Sequence, residues 1–120
     1  KFPWVYYEVM DVYKTKYPDN YFGYAIAGEI IEHLEFPEKF IKEAMRILRP
    51  GGILALSTPK EEIKDIGAVD KERHIWSFSE DDIKALFLSY GSVEIEFMKS
   101  QYFPIYKYRF PTLMAWIKKY

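Results

Sequence analysis

The 120-residue chain contains no cysteine, which excludes disulfides and thiolate chemistry and leaves the redox compartment open. It has no apolar run approaching the roughly 20 residues of a membrane-crossing helix, and no signal-like start. A cytoplasmic location with no membrane span is therefore the default expectation. Charge of either sign is not in excess: 17 Lys and Arg against 18 Asp and Glu leave a formal net charge of -1. That balance gives no general attraction to nucleic acid or to anionic membrane. Glycine is scarce. The six are Gly23, Gly28, Gly51, Gly52, Gly67 and Gly91, and no three of them form a G-x-G-x-G turn. No repeat, linker or low-complexity stretch interrupts the chain.

What the chain does have is aromatic side chains, 19% of residues, with 11 Tyr, 9 Phe and 3 Trp. Each ring buries a large area, so a small domain can gain core or interface stability this way. A hydrophobic fraction of 49% and a charged fraction of 29% indicate one globular domain over residues 1–120, at the small end of the usual range.

The patterning predicts an α/β fold. Trp4 to Met10 is β-branched and aromatic and reads as a strand ending at Asp11. Tyr17-Pro18-Asp19-Asn20 is a turn cluster, and Phe22 to Ala27 suits a short buried parallel strand. Between Pro37 and Leu48 the apolar residues Phe40, Ile41, Ala44, Met45, Ile47 and Leu48 trace a helical face, with Pro37 near the first position and Pro50-Gly51 as the stop. The run Ile53 to Thr58 is a second buried strand. Residues 60–65 suggest a short helix and residues 67–75 a loop beside the ligand edge, where long loops are often functional. Ser79 and Asp82 form a capping box for a helix to Tyr90, with Gly91 at its C′ position. Strands are expected near 92–99 and 102–109, and Pro111 to Lys119 reads as a short amphipathic helix.

Chemistry-bearing side chains gather after the strand that ends near Gly28. Glu29, Glu32 and His33 fall within one helical turn of each other, and His74 lies in the later loop. Two carboxylates and two imidazoles suit a divalent ion such as Mg²⁺ or Mn²⁺. Without metal, His33 or His74 is a candidate general base toward a hydroxyl, because imidazole titrates near neutral pH. The bland alternative is that the group only caps the turn and lines a pocket. Trp76, Tyr102, Phe103 and Tyr106 are candidates for a flat acceptor site, or for core. Lys99, Lys107, Arg109, Lys118 and Lys119 make the tail basic, a feature that scattered surface lysines also explain.

Glu29-Ile30-Ile31-Glu32-His33-Leu34, then a helix, then Arg49-Pro50-Gly51-Gly52 and a strand ending in Thr58-Pro59 resembles the class I, Rossmann-like S-adenosylmethionine-dependent methyltransferases. The resemblance runs from Val5 to about Gly91. It implies the C-terminal portion of that domain, a partial sheet of family strands 3 to 7 flanked by helices and lacking the first two strands. The family's glycine-rich loop and ribose-binding carboxylate have no counterpart here, so the chain, which opens on Lys1, reads as cut from a longer polypeptide or reduced. Asp11 matches the position that accepts from the adenine amine, with Val12 donating from its backbone, and Gly28 the position that lets the methionine moiety approach. Pro18-Asp19-Asn20-Tyr21-Phe22 echoes P-D-N-x-F-D, but Gly23 stands where the family has Asp, which predicts a looser start to that strand. The quartet Glu29, Glu32, His33 and His74 resembles the metal site of small-RNA 3′-terminal 2′-O-methyltransferases, and a related run occurs in ubiquinone-pathway O-methyltransferases.

What the resemblance implies is O-methyl transfer to a small-molecule or RNA hydroxyl, with His33, His74 and Glu32 as catalytic residues. On its own the chain is expected to bind S-adenosylmethionine weakly or not at all, and to be inactive. The alternative is a non-catalytic remnant that serves oligomerisation or partner binding. With the first two strands gone, the strand ending at Ala27 has an exposed edge. Val5 to Met10, or a second chain in a homodimer, is expected to cover it.

Overall fold

The computed structural model describes residues 2–59, 76–99 and 111–120. In chain order its elements are β1 (Phe22–Gly28), a 3₁₀ turn (Ile31–His33), α1 (Pro37–Ile47), β2 (Leu48–Pro59), α2 (Glu80–Phe87), β3 (Gly91–Lys99) and β4 (Pro111–Lys119). They build the expected α/β fold, a four-stranded sheet of order β1-β2-β4-β3 carrying two helices. β1 and β2 run parallel, while β4 is antiparallel to both β2 and β3.

Helix α1 follows its sequence pattern. Pro37 occupies the first turn, and Phe40, Ile41, Ala44 and Met45 are buried in a core shared with Ala27, Leu48, Leu54 and Leu56 of the two parallel strands. The helix stops at Ile47, short of the expected Leu48 to Arg49, because a residue preceding proline is disfavoured in helical backbone and Arg49 precedes Pro50. Pro50-Gly51-Gly52 is then not a free turn but a bulge within β2. The pairing jumps from Phe22↔Leu48 to Tyr24↔Ile53, with Gly51 at φ 78° absorbing the extra chain. Gly23 falls at this shift.

Helix α2 starts where the capping box places it. Ser79 Oγ accepts from Asp82 N–H at 3.1 Å, and Asp82 Oδ2 accepts from Ser79 N–H at 2.9 Å. Its end differs from expectation: the helix finishes at Phe87 and Gly91 opens β3 instead of capping α2. A Cβ at Gly91 would run into the backbone carbonyl of Lys118, so glycine is needed there for close strand approach.

Two expectations are overturned. Pro111 to Lys119 is a strand, not a helix. Leu113, Ala115 and Ile117 are fully buried at every second position, while β4 sits between β2 and β3 with both neighbours satisfying its backbone. Pro111 is therefore the first residue of a strand, a site proline tolerates, and not the first residue of a helix. Trp4 to Met10 is not a strand either. Trp4, Tyr6 and Val9 stand 79%, 81% and 101% exposed, and strand propensity has no effect where no edge is alongside to pair with. These residues do not cover the edge of β1. The expected strand at 102–109, helix at 60–65 and loop at 67–75 lie outside the described residues.

Residues 11–21 are instead tied down onto α1. Buried Glu43 accepts from Thr15 N–H and hydroxyl at 2.7 and 2.6 Å, and from Arg46 Nε at 2.7 Å, while Arg46 also reaches Asp19 and the Tyr17 carbonyl. Arg46 first, then the Thr15 donors, hold the Glu43 carboxyl at about 2 against its burial. This clamp is fully present above the unfolded value of 4.5 and is lost as pH falls through about 2.

Candidate functional site

Because β1 and β2 are parallel, their carboxyl ends lie at one edge of the sheet, the edge where open α/β sheets bind ligands. Gly28 pairs with Ser57 there, and the chain then turns sharply. Glu29 takes a left-handed backbone, φ 53°, rare for a residue with a side chain. It is fastened by its N–H, which donates to Ser57 O at 3.0 Å and to Ser57 Oγ at 3.2 Å. Such strain is held in place by its surroundings and clusters at functional sites. Glu29 thus precedes the 3₁₀ turn rather than lying on a helix with Glu32.

The turn Ile31–His33 drives Ile31 into the core and takes Glu32 with it, leaving Glu32 1% exposed. One Glu32 oxygen, Oε2, accepts from Thr58 Oγ1 at 3.0 Å. The other, Oε1, has no hydrogen-bond partner, and lies 3.6 Å from Nε2 of His33. The His33 side chain is 42% exposed, so the imidazole bridges a buried carboxylate and solvent. Glu29, at the sharp turn before them, interacts electrostatically with both Glu32 and His33. Partial burial first, then the neighbouring Glu32 carboxyl, push its carboxyl up to about 7, with His33 opposing. The segment from Trp76 closes the far side: its N–H donates to Glu32 O at 3.1 Å and its indole Nε1 to Leu34 O at 2.8 Å.

The other expected residues are placed unequally. Asp11 Oδ1 accepts from Tyr13 N–H at 2.8 Å, an Asx turn, so one of its oxygens serves its own loop. Val12 packs against the core, and the Tyr13 hydroxyl accepts from Phe36 N–H at 3.1 Å, tying this turn to the start of α1. Among the described residues, an added Cβ at Gly28 would meet only Ser57 Oγ, at an ordinary 3.6 Å. His74, Tyr102, Phe103 and Tyr106 lie outside the described residues. Among the described residues no group of three or more His, Cys, Asp or Glu is arranged to hold a metal ion, so Glu29, Glu32 and His33 by themselves do not fit Mg²⁺ or Mn²⁺. In the basic tail, Lys119 Nζ donates to Asn20 Oδ1 and the Leu48 carbonyl, a structural role. The pattern reading missed Thr58 and Ser57; their signal was two hydroxyls ending a buried strand beside the acidic run.

A methyltransferase-domain family model matches residues 1–56, a little under half of the chain. No curated protein matches. Among solved structures, the complex between the Haloferax volcanii Trm112 methyltransferase activator and a methyltransferase matches at 17% identity with a TM-score of 0.77, over 93% of this chain and 60% of that one. The fold is the Rossmann-like methyltransferase fold. An S-adenosylmethionine-dependent methyltransferase from Thermotoga maritima matches with TM-score 0.69 at 17% identity, over 91% of this chain and 61% of that one. The 4+2 cyclase SpnF matches at TM-score 0.71 and 19% identity, over 93% and 55%. The chain therefore spans somewhat over half the length of these methyltransferase-fold proteins. The cyclase shows that this fold does not by itself fix the reaction. Among the described residues no helix is long and apolar enough to cross a membrane.

Proposed function

We propose that this chain is the acceptor-side portion of an S-adenosylmethionine-dependent methyltransferase that methylates a hydroxyl of a small molecule or RNA. The observation that carries the reading is the Thr58–Glu32 hydrogen bond, with His33 beside the same carboxylate, at the carboxyl end of the parallel strands. Thr58 fixes one oxygen of a buried carboxylate whose other oxygen faces His33 Nε2 at 3.6 Å. A base oriented by a second group behind it is the arrangement that removes a proton from an attacking hydroxyl. The cofactor supplies an activated methyl group on a sulfonium, so the protein's tasks are alignment and proton removal. His33 takes the acceptor's proton, Glu32 steadies the imidazole and the resulting charge, and Glu29 borders the space in front. Gly28 leaves room for the methionine moiety, while Asp11 and the Val12 backbone meet the adenine. His74 is a second candidate for the base. The glycine-rich loop comes from residues beyond these, and the chain alone transfers no methyl group.

A second reading, a methyltransferase-like module that acts by pairing with a partner, is favoured by the exposed apolar row on β1. Amide shift mapping of the ¹⁵N-labelled chain in millimolar S-adenosylhomocysteine separates the two. The enzyme reading expects shifts confined to Asp11, Val12, Gly28, Glu29 and their neighbours. Shifts centred elsewhere contradict it.

A further inference from the structure

Residues 11–21 form neither helix nor strand, yet they are fastened along the length of α1. The Tyr13 hydroxyl accepts from Phe36 N–H just before the helix, and Thr15 donates twice to Glu43 within it. Towards the helix end the Tyr17 carbonyl and Asp19 accept from Arg46, and the amides of Asn20 and Tyr21 donate to the carbonyls of Arg46 and Ile47 at 2.9 and 2.8 Å. Glu43 is the centre of this strap. It is 7% exposed, and both its oxygens are engaged: Oε2 accepts from Thr15 N–H, the Thr15 hydroxyl and Arg46 Nη2, and Oε1 accepts from Arg46 Nε. A buried ionised group is costly unless it is paired and hydrogen-bonded, and a fully satisfied polar cluster fixes one arrangement of its members. For stability alone, apolar side chains of similar volume in place of such a pair serve about as well. They would not hold the strap in one register on the helix.

The strap begins at the turn that carries Asp11 and Val12. Asp11 Oδ1 accepts from Tyr13 N–H at 2.8 Å and the Asp11 carbonyl from Lys14 N–H at 3.2 Å, so this turn forms one hydrogen-bonded unit with the residues leading into Thr15. The start of α1, in turn, adjoins the base: the 3₁₀ turn that ends at His33 runs through Leu34 to Phe36 and Pro37. One helix thus governs the places of both. We propose that Glu43 is a positioning residue of the cofactor site, which through Thr15 locks the Asp11–Val12 turn to α1 and so sets where that turn stands relative to His33. The inference rests on the reading of Asp11 and Val12 as adenine contacts. Glu43 acts through Thr15 and the turn, not by touching the cofactor.

Backbone ¹⁵N relaxation of the wild type, Glu43→Ala and Thr15→Val tests this without any ligand. Circular dichroism and the amide spectrum of β2 and β4 establish that each variant is folded. Thr15→Val, close in shape and leaving the Glu43–Arg46 pair whole, carries the test if Glu43→Ala does not fold. In the wild type the order parameters of Val12 and Tyr13 are expected at the rigid level of about 0.85. They should fall below about 0.6 in Glu43→Ala and part of the way in Thr15→Val, with Leu56 and Ala115 unchanged in both. A residue that only stabilises the fold would lower the melting temperature without loosening this one turn. The proposal is overturned by a Val12 and Tyr13 that are mobile already in the wild type, that keep wild-type order in either folded variant, or that loosen only in step with Leu56 and Ala115. Because no ligand is present, such a failure leaves the functional reading standing. Ligand-induced shifts centred away from Asp11 and Val12 would strike that reading, and not the attachment of the turn to α1.

Discussion

Thr58 donates its hydroxyl proton to Glu32 at 3.0 Å across 26 residues of sequence, joining the last turn of β2 to the short turn after β1. Both residues are buried, at 0% and 1% exposure, and the bond satisfies half of a carboxylate that would otherwise be stranded. Leaving a buried acceptor unpaired costs about 1–3 kcal/mol. Thr58→Val, close in shape, is therefore expected to lower stability by about that amount. Urea denaturation at neutral pH should show a lower midpoint with an unchanged slope. Pairing it with Glu32→Leu should recover part of the loss, since removing both polar partners is milder than removing one. An unchanged midpoint in Thr58→Val would show that the bond does not hold the site together.

Glu29 gives the site its pH signature. Its folded-state carboxyl titrates near 7, above the unfolded 4.5, chiefly through desolvation and then through Glu32. A raised carboxyl favours the protonated folded state. Its contribution is fully present below pH 4.5 and is lost as pH rises from there through about 7. Glu29→Gln imitates the neutral form, so the variant's melting temperature should fall less than the wild type's across that window and exceed it at pH 8. Parallel curves for the two proteins would contradict the assignment.

Two glycines with different reasons for being glycine make a paired test. At Gly91 a Cβ would strike the Lys118 carbonyl, which belongs to the backbone of β4 and cannot swing away. At Gly28 the nearest atom is Ser57 Oγ at an ordinary 3.6 Å. Gly91→Ala should destabilise by roughly 1–3 kcal/mol, as overpacking does, and Gly28→Ala by less than about 0.5 kcal/mol. Thermal melts of the two variants check this. If Gly28→Ala proves the more damaging, Gly28 does not leave the room proposed for the methionine moiety.

Periodicity made α1, α2, β1 and β2 legible, because each buries one face against the same core. Glu29, Glu32 and His33 were legible as a cluster because they fall within five consecutive residues. What escaped was set by distant partners. Leu113-Met114-Ala115-Trp116-Ile117 satisfies a helix or a strand over so short a run, and the choice is made by β2 and β3 on either side of it. Trp4 to Met10 has strand-forming residues but no neighbouring strand, so its composition misled. The Glu43 clamp and the Thr58 hydroxyl were invisible because their partners lie 28 and 26 residues away in sequence.

The central claim is that the chain carries the proton-removing edge of a methyltransferase and only a fragment of its cofactor contacts. On the proposed reading, Asp11, Val12 and Gly28 would offer a few hydrogen bonds, each netting about 0.5–1.5 kcal/mol, too little to offset the loss of translational and rotational freedom on binding. Titration calorimetry of S-adenosylmethionine into the 120-residue chain tests it most directly. The account predicts no saturable heat at micromolar concentrations. A micromolar dissociation constant that disappears in Asp11→Ala would contradict it, by showing that these residues already form a complete cofactor site.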